Sequence, residues 1–165
     1  MKRILIIGCP GSGKSTLAKK LYARLNIDVY HLDSIWWKGN WKNVSKAEFD
    51  EKLMEIIGKD KWIIDGNYQR TLKLRLKHSD AVIYLDYNMI FCLFNVIKRF
   101  FLNIGKVRED MGENCVEKID FEFISFILTF NRKNRRKIYD SLEGFKGEVY
   151  IFKSRGRLNR WLKNI

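Results

Sequence analysis

One proline, two histidines and three cysteines are all that the 165 residues contain, and each scarcity removes a class of function. Pro10 stands alone, so no proline-rich linker divides the chain. His31 and His78 are too few for an imidazole-built catalytic metal cluster. Cys9, Cys92 and Cys115 are odd in number, widely spaced and without a C-x-x-C pair. That pattern argues against a disulfide framework or a structural zinc and for a reducing cytoplasm. Long hydrophobic runs are missing as well. The most apolar stretch, Met89 to Ile97, is too short for a bilayer, contains Asn95 and lies between Asp86 and Lys98-Arg99. A buried helix is expected there, and no membrane association. Lys2 and Arg3 precede only a short apolar run, so no signal peptide is expected.

Negative charge is also in short supply. Nineteen Asp+Glu face 32 Lys+Arg, a formal net charge of +13. A field of that sign favours anions, nucleotides first and nucleic acid second. The lysines are scattered, as on a solvated surface, and the one tight basic cluster is Arg132 to Lys137. Helix-turn-helix, RNP-like and zinc-finger patterns are lacking, so the case for nucleic acid rests on charge alone.

What is present is decisive at one place. Gly8, Cys9, Pro10, Gly11, Ser12, Gly13, Lys14 and Ser15 spell GCPGSGKS, after the apolar run Ile4 to Ile7 and before Leu17-Ala18-Lys19-Lys20-Leu21. This is the strand–loop–helix setting of a phosphate-binding P-loop, G-x-x-x-x-G-K-[ST]. The glycines let backbone N–H groups converge on an anion, and the helix from Lys14 adds its unpaired first-turn donors. Lys14 is expected on the β- and γ-phosphates, Ser15 on Mg²⁺, and Thr16 on an inner phosphate. The chain is therefore expected to bind a nucleoside triphosphate with Mg²⁺.

Short β-rich runs alternate with longer helical patterns, which predicts βαβ units and a parallel sheet in a single domain. Strands are expected at Arg3–Ile7, Asp28–Leu32, Trp62–Ile64, Ala81–Leu85 and Glu148–Phe152. Helices are expected at about 14–25, 45–57 with Ser45 and Glu48 as a capping box, 88–102, 121–142 and 158–162. Five strands with right-handed crossovers give a three-layer α/β/α sandwich, with ligands at the carboxyl ends of the strands. Asp33, Asp65 and Asp86 each end a predicted strand at that rim.

With these motifs in hand, the chain resembles small P-loop kinases of the adenylate-kinase-like group, and most closely the bacterial DNA topology modulation proteins. The likeness extends over essentially the whole chain. It is carried by Gly8 to Thr16, by His31-Leu32-Asp33 with the following tryptophans, and by WIIDGNYQRT at Trp62 to Thr71. Further along it includes Arg108 with Asp110-Met111-Gly112, and the helix of Arg132, Arg135 and Arg136.

The resemblance implies that Asp65 orients Mg²⁺ together with Ser15 and that Arg70 contacts phosphate. It implies an acceptor-binding segment at about 34–60, with Asp33 as the acceptor's base and Trp36, Trp37 and Trp41 offered for stacking. It implies a lid at about 104–118 in which Arg108, or Arg99 before it, neutralises transferring charge, and phosphate-binding roles for Arg132, Arg135 and Arg136. The expected activity is ATP-dependent phosphotransfer to a small molecule or nucleotide, as in nucleoside monophosphate kinases. The alternative is an ATP-binding regulator associated with DNA. A GTPase is disfavoured by the lack of N-K-x-D, and a ring ATPase by the lack of an apolar strand ending in Asp-Glu.

Overall fold

The computed structural model describes residues 1–108, 110–112 and 114–165. Five strands form one parallel sheet in the order β2-β5-β1-β6-β7. They are β1 (Arg3–Gly8), β2 (Val29–His31), β5 (Trp62–Asp65), β6 (Ala81–Leu85) and β7 (Glu148–Phe152). A separate two-stranded hairpin pairs β3 (Trp37–Lys38) with β4 (Lys42–Asn43). The three central strands are buried nearly throughout, as a parallel sheet covered on both faces requires. Register fixes the site: Ile6 pairs with Asp65, and His31 with Asp65 from the other side.

The helices are α1 (Lys14–Leu25), α2 (Leu32–Trp36), α3 (Lys46–Ile57), α4 (Gln69–His78), α5 (Met89–Leu102), α6 (Phe121–Phe130), α7 (Arg136–Leu142) and α8 (Arg155–Leu162). Helix α1 buries Leu17, Ala18 and Leu21, and α3 buries Phe49, Leu53, Ile56 and Ile57. Ser45 caps α3 by accepting from the Glu48 amide, but the Glu48 carboxylate does not close the box. It is drawn instead to Lys38 and Lys52.

Four expectations need correction. The second strand stops at His31, so Asp33 lies in the first turn of α2 rather than at a strand end. Helix α4, with Leu72 and Leu76 one turn apart on its buried face, lies between β5 and β6 where no helix is expected from the sequence. Helix α5 is amphipathic by burial rather than buried: Cys92 and Val96 are inside, whereas Ile90 and Phe94 are 70% and 64% exposed. No described helix is long and apolar enough to cross a membrane. Finally, residues 121–142 are not one regular α-helix, because a π-turn at Asn131–Arg135 separates α6 from α7. That turn changes the angular spacing between Arg132, Arg135 and Arg136 from that of a regular α-helix.

Candidate active site

The P-loop follows β1 and leads into α1 through Gly13, which caps the helix in the left-handed conformation. Two side chains outside the motif hold the loop in shape. Asn67 accepts from the Gly8 amide at 2.9 Å and donates to the Gly8 carbonyl at 2.6 Å. Asn95, on the inner side of α5, donates to the Gly11 carbonyl at 2.9 Å. Gly11 itself has φ +79°, and a Cβ there would lie 2.2 Å from the Cys92 carbonyl oxygen. The approach of α5 to the loop therefore requires glycine at this position. Cys9 is buried against Cys92, and that hydrogen bond together with burial pushes the Cys9 thiol up, so Cys9 acts here as packing.

Ser15 is the meeting point of the site. Its hydroxyl lies 2.8 Å from Asp65 Oδ2 and 2.7 Å from Asp110 Oδ2. His31 Nδ1 is 2.9 Å from the same Asp65 oxygen. Asp65 is buried, and its other oxygen, Oδ1, has no hydrogen-bond partner. A hydroxyl, two carboxylates and an orphaned buried oxygen are hard donors of the kind Mg²⁺ takes, so these residues fit the cation that the motif implies. Lys14 stands in the same loop, with Nζ 3.3 Å from the Cys9 carbonyl oxygen.

Across from the loop, Asp33 accepts a 2.8 Å hydrogen bond from the Tyr68 hydroxyl. Its surface is open to solvent, yet it sits in a concavity crowded by protein. Burial pushes its carboxyl above the ordinary range, and the Tyr68 hydrogen bond and the Lys14 charge offset this only in part. Tyr68 is held at φ 20°, ψ 76°, a strained conformation for a tyrosine. The strain is maintained from below by Arg75, which is fully buried. Arg75 donates to the carbonyls of Gly66, Asn67 and Tyr68 at 2.7–2.9 Å. One buried cation thus fixes the turn that presents both Asn67 and Tyr68.

The segment between α5 and α6 folds over this site. Arg108 pairs with Asp110 and with Glu117, and Arg99 also pairs with Glu117. Burial works against the Asp110 charge, but Arg108 and the Ser15 hydroxyl overcome it and hold the carboxyl below the ordinary range. The segment rests on the β3–β4 hairpin. Trp41 Nε1 donates to the Val116 carbonyl at 3.0 Å, and a Cβ at Gly112 would lie 1.8 Å from the Trp37 carbonyl oxygen. Within the expected lid, Glu109 and Glu113 lie outside the described residues.

Several expected residues are placed elsewhere. Arg70 makes a bidentate pair with Asp50 on α3, at 2.6 and 2.7 Å, rather than facing the P-loop. Both partners are about half exposed, so the pair is worth at most about 1 kcal/mol and is easily released. Arg135 binds the buried carboxylate of Asp86 at 2.8 Å, with Tyr139 donating to the same oxygen. Asp86 is therefore the buried partner of an ion pair with Arg135. Arg132 and Arg136 are exposed. Trp36 meets Phe49 and Tyr68 edge-on, and Trp37 meets Trp41, so these rings pack chiefly on one another.

Known structures share this fold. The chain aligns over 99% of its length with shikimate kinase from Bacteroides thetaiotaomicron, covering 95% of that chain at a TM-score of 0.59 and 18% identity. The fold is that of a P-loop kinase. Deoxyadenosine kinase from M. mycoides with bound dCTP aligns over 98% of this chain and 96% of its own, with a TM-score of 0.51 and 14% identity. The same enzyme with dCMP and dCDP gives a TM-score of 0.53 at 15% identity, over 98% and 94%. Residues 4–85 match a family model described as an AAA domain, a span running from β1 through β6. No curated protein matches the sequence.

Proposed function

We propose that the protein is an ATP-dependent kinase that transfers the γ-phosphoryl group to a hydroxyl of a small acceptor, a nucleoside, nucleotide or small alcohol. The observation that carries this reading is the convergence of Ser15 and Asp65 beside Lys14, with Asp33 across the same cleft. The kinase fold supports it. The P-loop amides and Lys14 bind and orient the triphosphate, while Ser15 and Asp65 hold the cation. Mg²⁺, when bound, supplies charge neutralisation at the β- and γ-oxygens. Asp33 takes the acceptor's hydroxyl proton at its carboxylate, and its raised affinity for a proton suits it to a base better than an ordinary aspartate. Arg108 offers positive charge to the transferring group from the covering segment, which also excludes water. Little covalent chemistry falls to the protein; positioning and charge are sufficient.

Regulation of DNA topology remains the second reading, favoured by the formal charge of +13. Calorimetric titration with ATP and Mg²⁺ tests the first. Micromolar binding that is lost in Lys14→Ala and weakened in Ser15→Ala supports the nucleotide site that the kinase reading requires, and transfer of the γ-phosphoryl group to an added acceptor separates that reading from an ATP-binding regulator. Equal affinity in all three proteins overturns the kinase reading.

A further inference from the structure

The surroundings of Ser15 hold more acceptors than one hydroxyl serves. Its oxygen carries a single proton, yet Asp65 Oδ2 and Asp110 Oδ2 both stand within 2.8 Å of it. That proton can bridge to one carboxylate at a time, which leaves the other contact as two oxygens facing one another. Asp65 Oδ1, buried and without a partner, adds a further unsatisfied acceptor at the same place. Like charges brought together in this way repel unless a proton or a cation lies between them, and a divalent cation would satisfy all of these oxygens at once. Among the described residues, Arg108 binds Asp110 and His31 binds Asp65, each on its own carboxylate.

Asp110 is also firmly placed. It reaches Ser15 from 95 residues away in the chain. Behind it, Arg108 is held by Glu117, Glu117 by Arg99 on α5, and the neighbouring Gly112 is seated under Trp37. These contacts set where Asp110 arrives when the segment is seated, so it belongs to the seated site and is not a passing surface charge.

We propose that Asp110 is a third protein oxygen donor to the divalent cation at Ser15 and Asp65, so that seating of the 104–118 segment depends on the cation. This rests on the kinase reading above and deepens it. The hard donor set is of the kind that Mg²⁺ and Mn²⁺ accept beside phosphate oxygens. The consequence is mechanistic: ATP without its cation leaves Asp110 facing phosphate and holds the segment away, whereas the cation-loaded nucleotide draws it down. Closure then follows correct loading.

The test uses the full chain with a non-hydrolysable ATP analogue, in Mg²⁺ or in EDTA, followed by hydrogen exchange over residues 104–118. Mn²⁺ affinity of the analogue complex is measured by electron paramagnetic resonance. Wild type is expected to show exchange slowed by about 10-fold or more only when the cation is present. Asp110→Asn, which keeps an acceptor for Ser15 and Arg108, is expected to bind the analogue in EDTA, to lose the cation-dependent protection, and to weaken Mn²⁺ by about 10-fold or more. Asp110→Glu should restore part of both. The proposal is overturned, with the kinase reading intact, if Asp110→Asn binds Mn²⁺ as wild type does or if protection is the same in Mg²⁺ and EDTA. Tighter binding of the Mg²⁺-analogue by Asp110→Asn would also overturn it, making Asp110 a plug. Failure of wild type to bind the analogue under either condition would overturn both readings.

Discussion

Replacing Arg75 by methionine keeps much of the side-chain volume and removes the charge and every donor. Arg75 is fully buried and serves the carbonyls of Gly66, Asn67 and Tyr68 as well as the Thr71 hydroxyl. Each buried acceptor left without a partner costs about 1–3 kcal/mol. Against this stands the cost of burying a guanidinium with no carboxylate bonded to it; burial pushes its pKa down, to about 9. Relief of that burden and some hydration of the freed carbonyls offset part of the loss, leaving a destabilisation of about 3 kcal/mol, in the upper range for single substitutions. In urea this appears as a midpoint lowered by about 1–2 M at unchanged slope. The damage should not stop at stability. The freed turn also carries Asn67, which holds Gly8, and Tyr68, which holds Asp33. ATP affinity should therefore fall in the fraction that remains folded, measured below the unfolding transition. A midpoint within about 0.3 M of wild type, with unchanged ATP affinity, would refute the role assigned to Arg75.

Lys14→Ala should abolish phosphotransfer and weaken ATP binding while far-ultraviolet circular dichroism is unchanged, because the side chain is outside the core; retained turnover would be inconsistent with the P-loop assignment. Asp33→Asn should lower phosphotransfer by about 10²-fold or more and yet raise stability at neutral pH. The folded state holds the Asp33 proton more tightly than the unfolded chain does, so wild-type stability falls as pH rises from the ordinary aspartate value through the raised one. The variant lacks that decline, and parallel stability–pH curves for the two proteins would count against it. DNA binding driven by scattered lysines should be weak, independent of sequence and steeply salt-sensitive, and nearly absent at about 150 mM salt. Tight, ATP-modulated binding of DNA at that salt would favour the regulator.

The parts of the fold that were legible in the sequence are those governed by local rules. Ile4 to Ile7 and Ala81 to Leu85 are short apolar runs with turn signals beyond them, and they are strands as expected. The Ser45 cap marks the start of α3, which ends at Ile57 before Gly58. Helix α4 is masked in the sequence by the polar residues of WIIDGNYQRT at its start, although Thr71, Leu72, Arg75 and Leu76 repeat at helical spacing. The π-turn has no local signature in Asn131 to Arg135.

At the site, the P-loop itself was legible and the resemblance brought Asp65 to Ser15, whereas most other contacts made across the sheet were not legible. Asn67 is one letter of the motif WIIDGNYQRT in the sequence, whereas its side-chain amide clasps Gly8 from 59 residues away. Arg70 is drawn to Asp50 by a pairing that depends on how α3 packs, and nothing in its own neighbourhood signals that. Asp110 was visible as part of the covering segment, but its convergence on Ser15 is a product of tertiary structure alone.

The central claim is that the γ-phosphoryl group of ATP moves to an acceptor hydroxyl. Incubation with ATP labelled at the γ-phosphate, across nucleosides, nucleoside monophosphates and small alcohols, tests it most directly, with product identified by mass spectrometry. The account predicts label on one acceptor class, formed far faster than free phosphate and lost in Lys14→Ala and Asp33→Asn. Release of label only as free phosphate, at the same rate with every acceptor present, would contradict it.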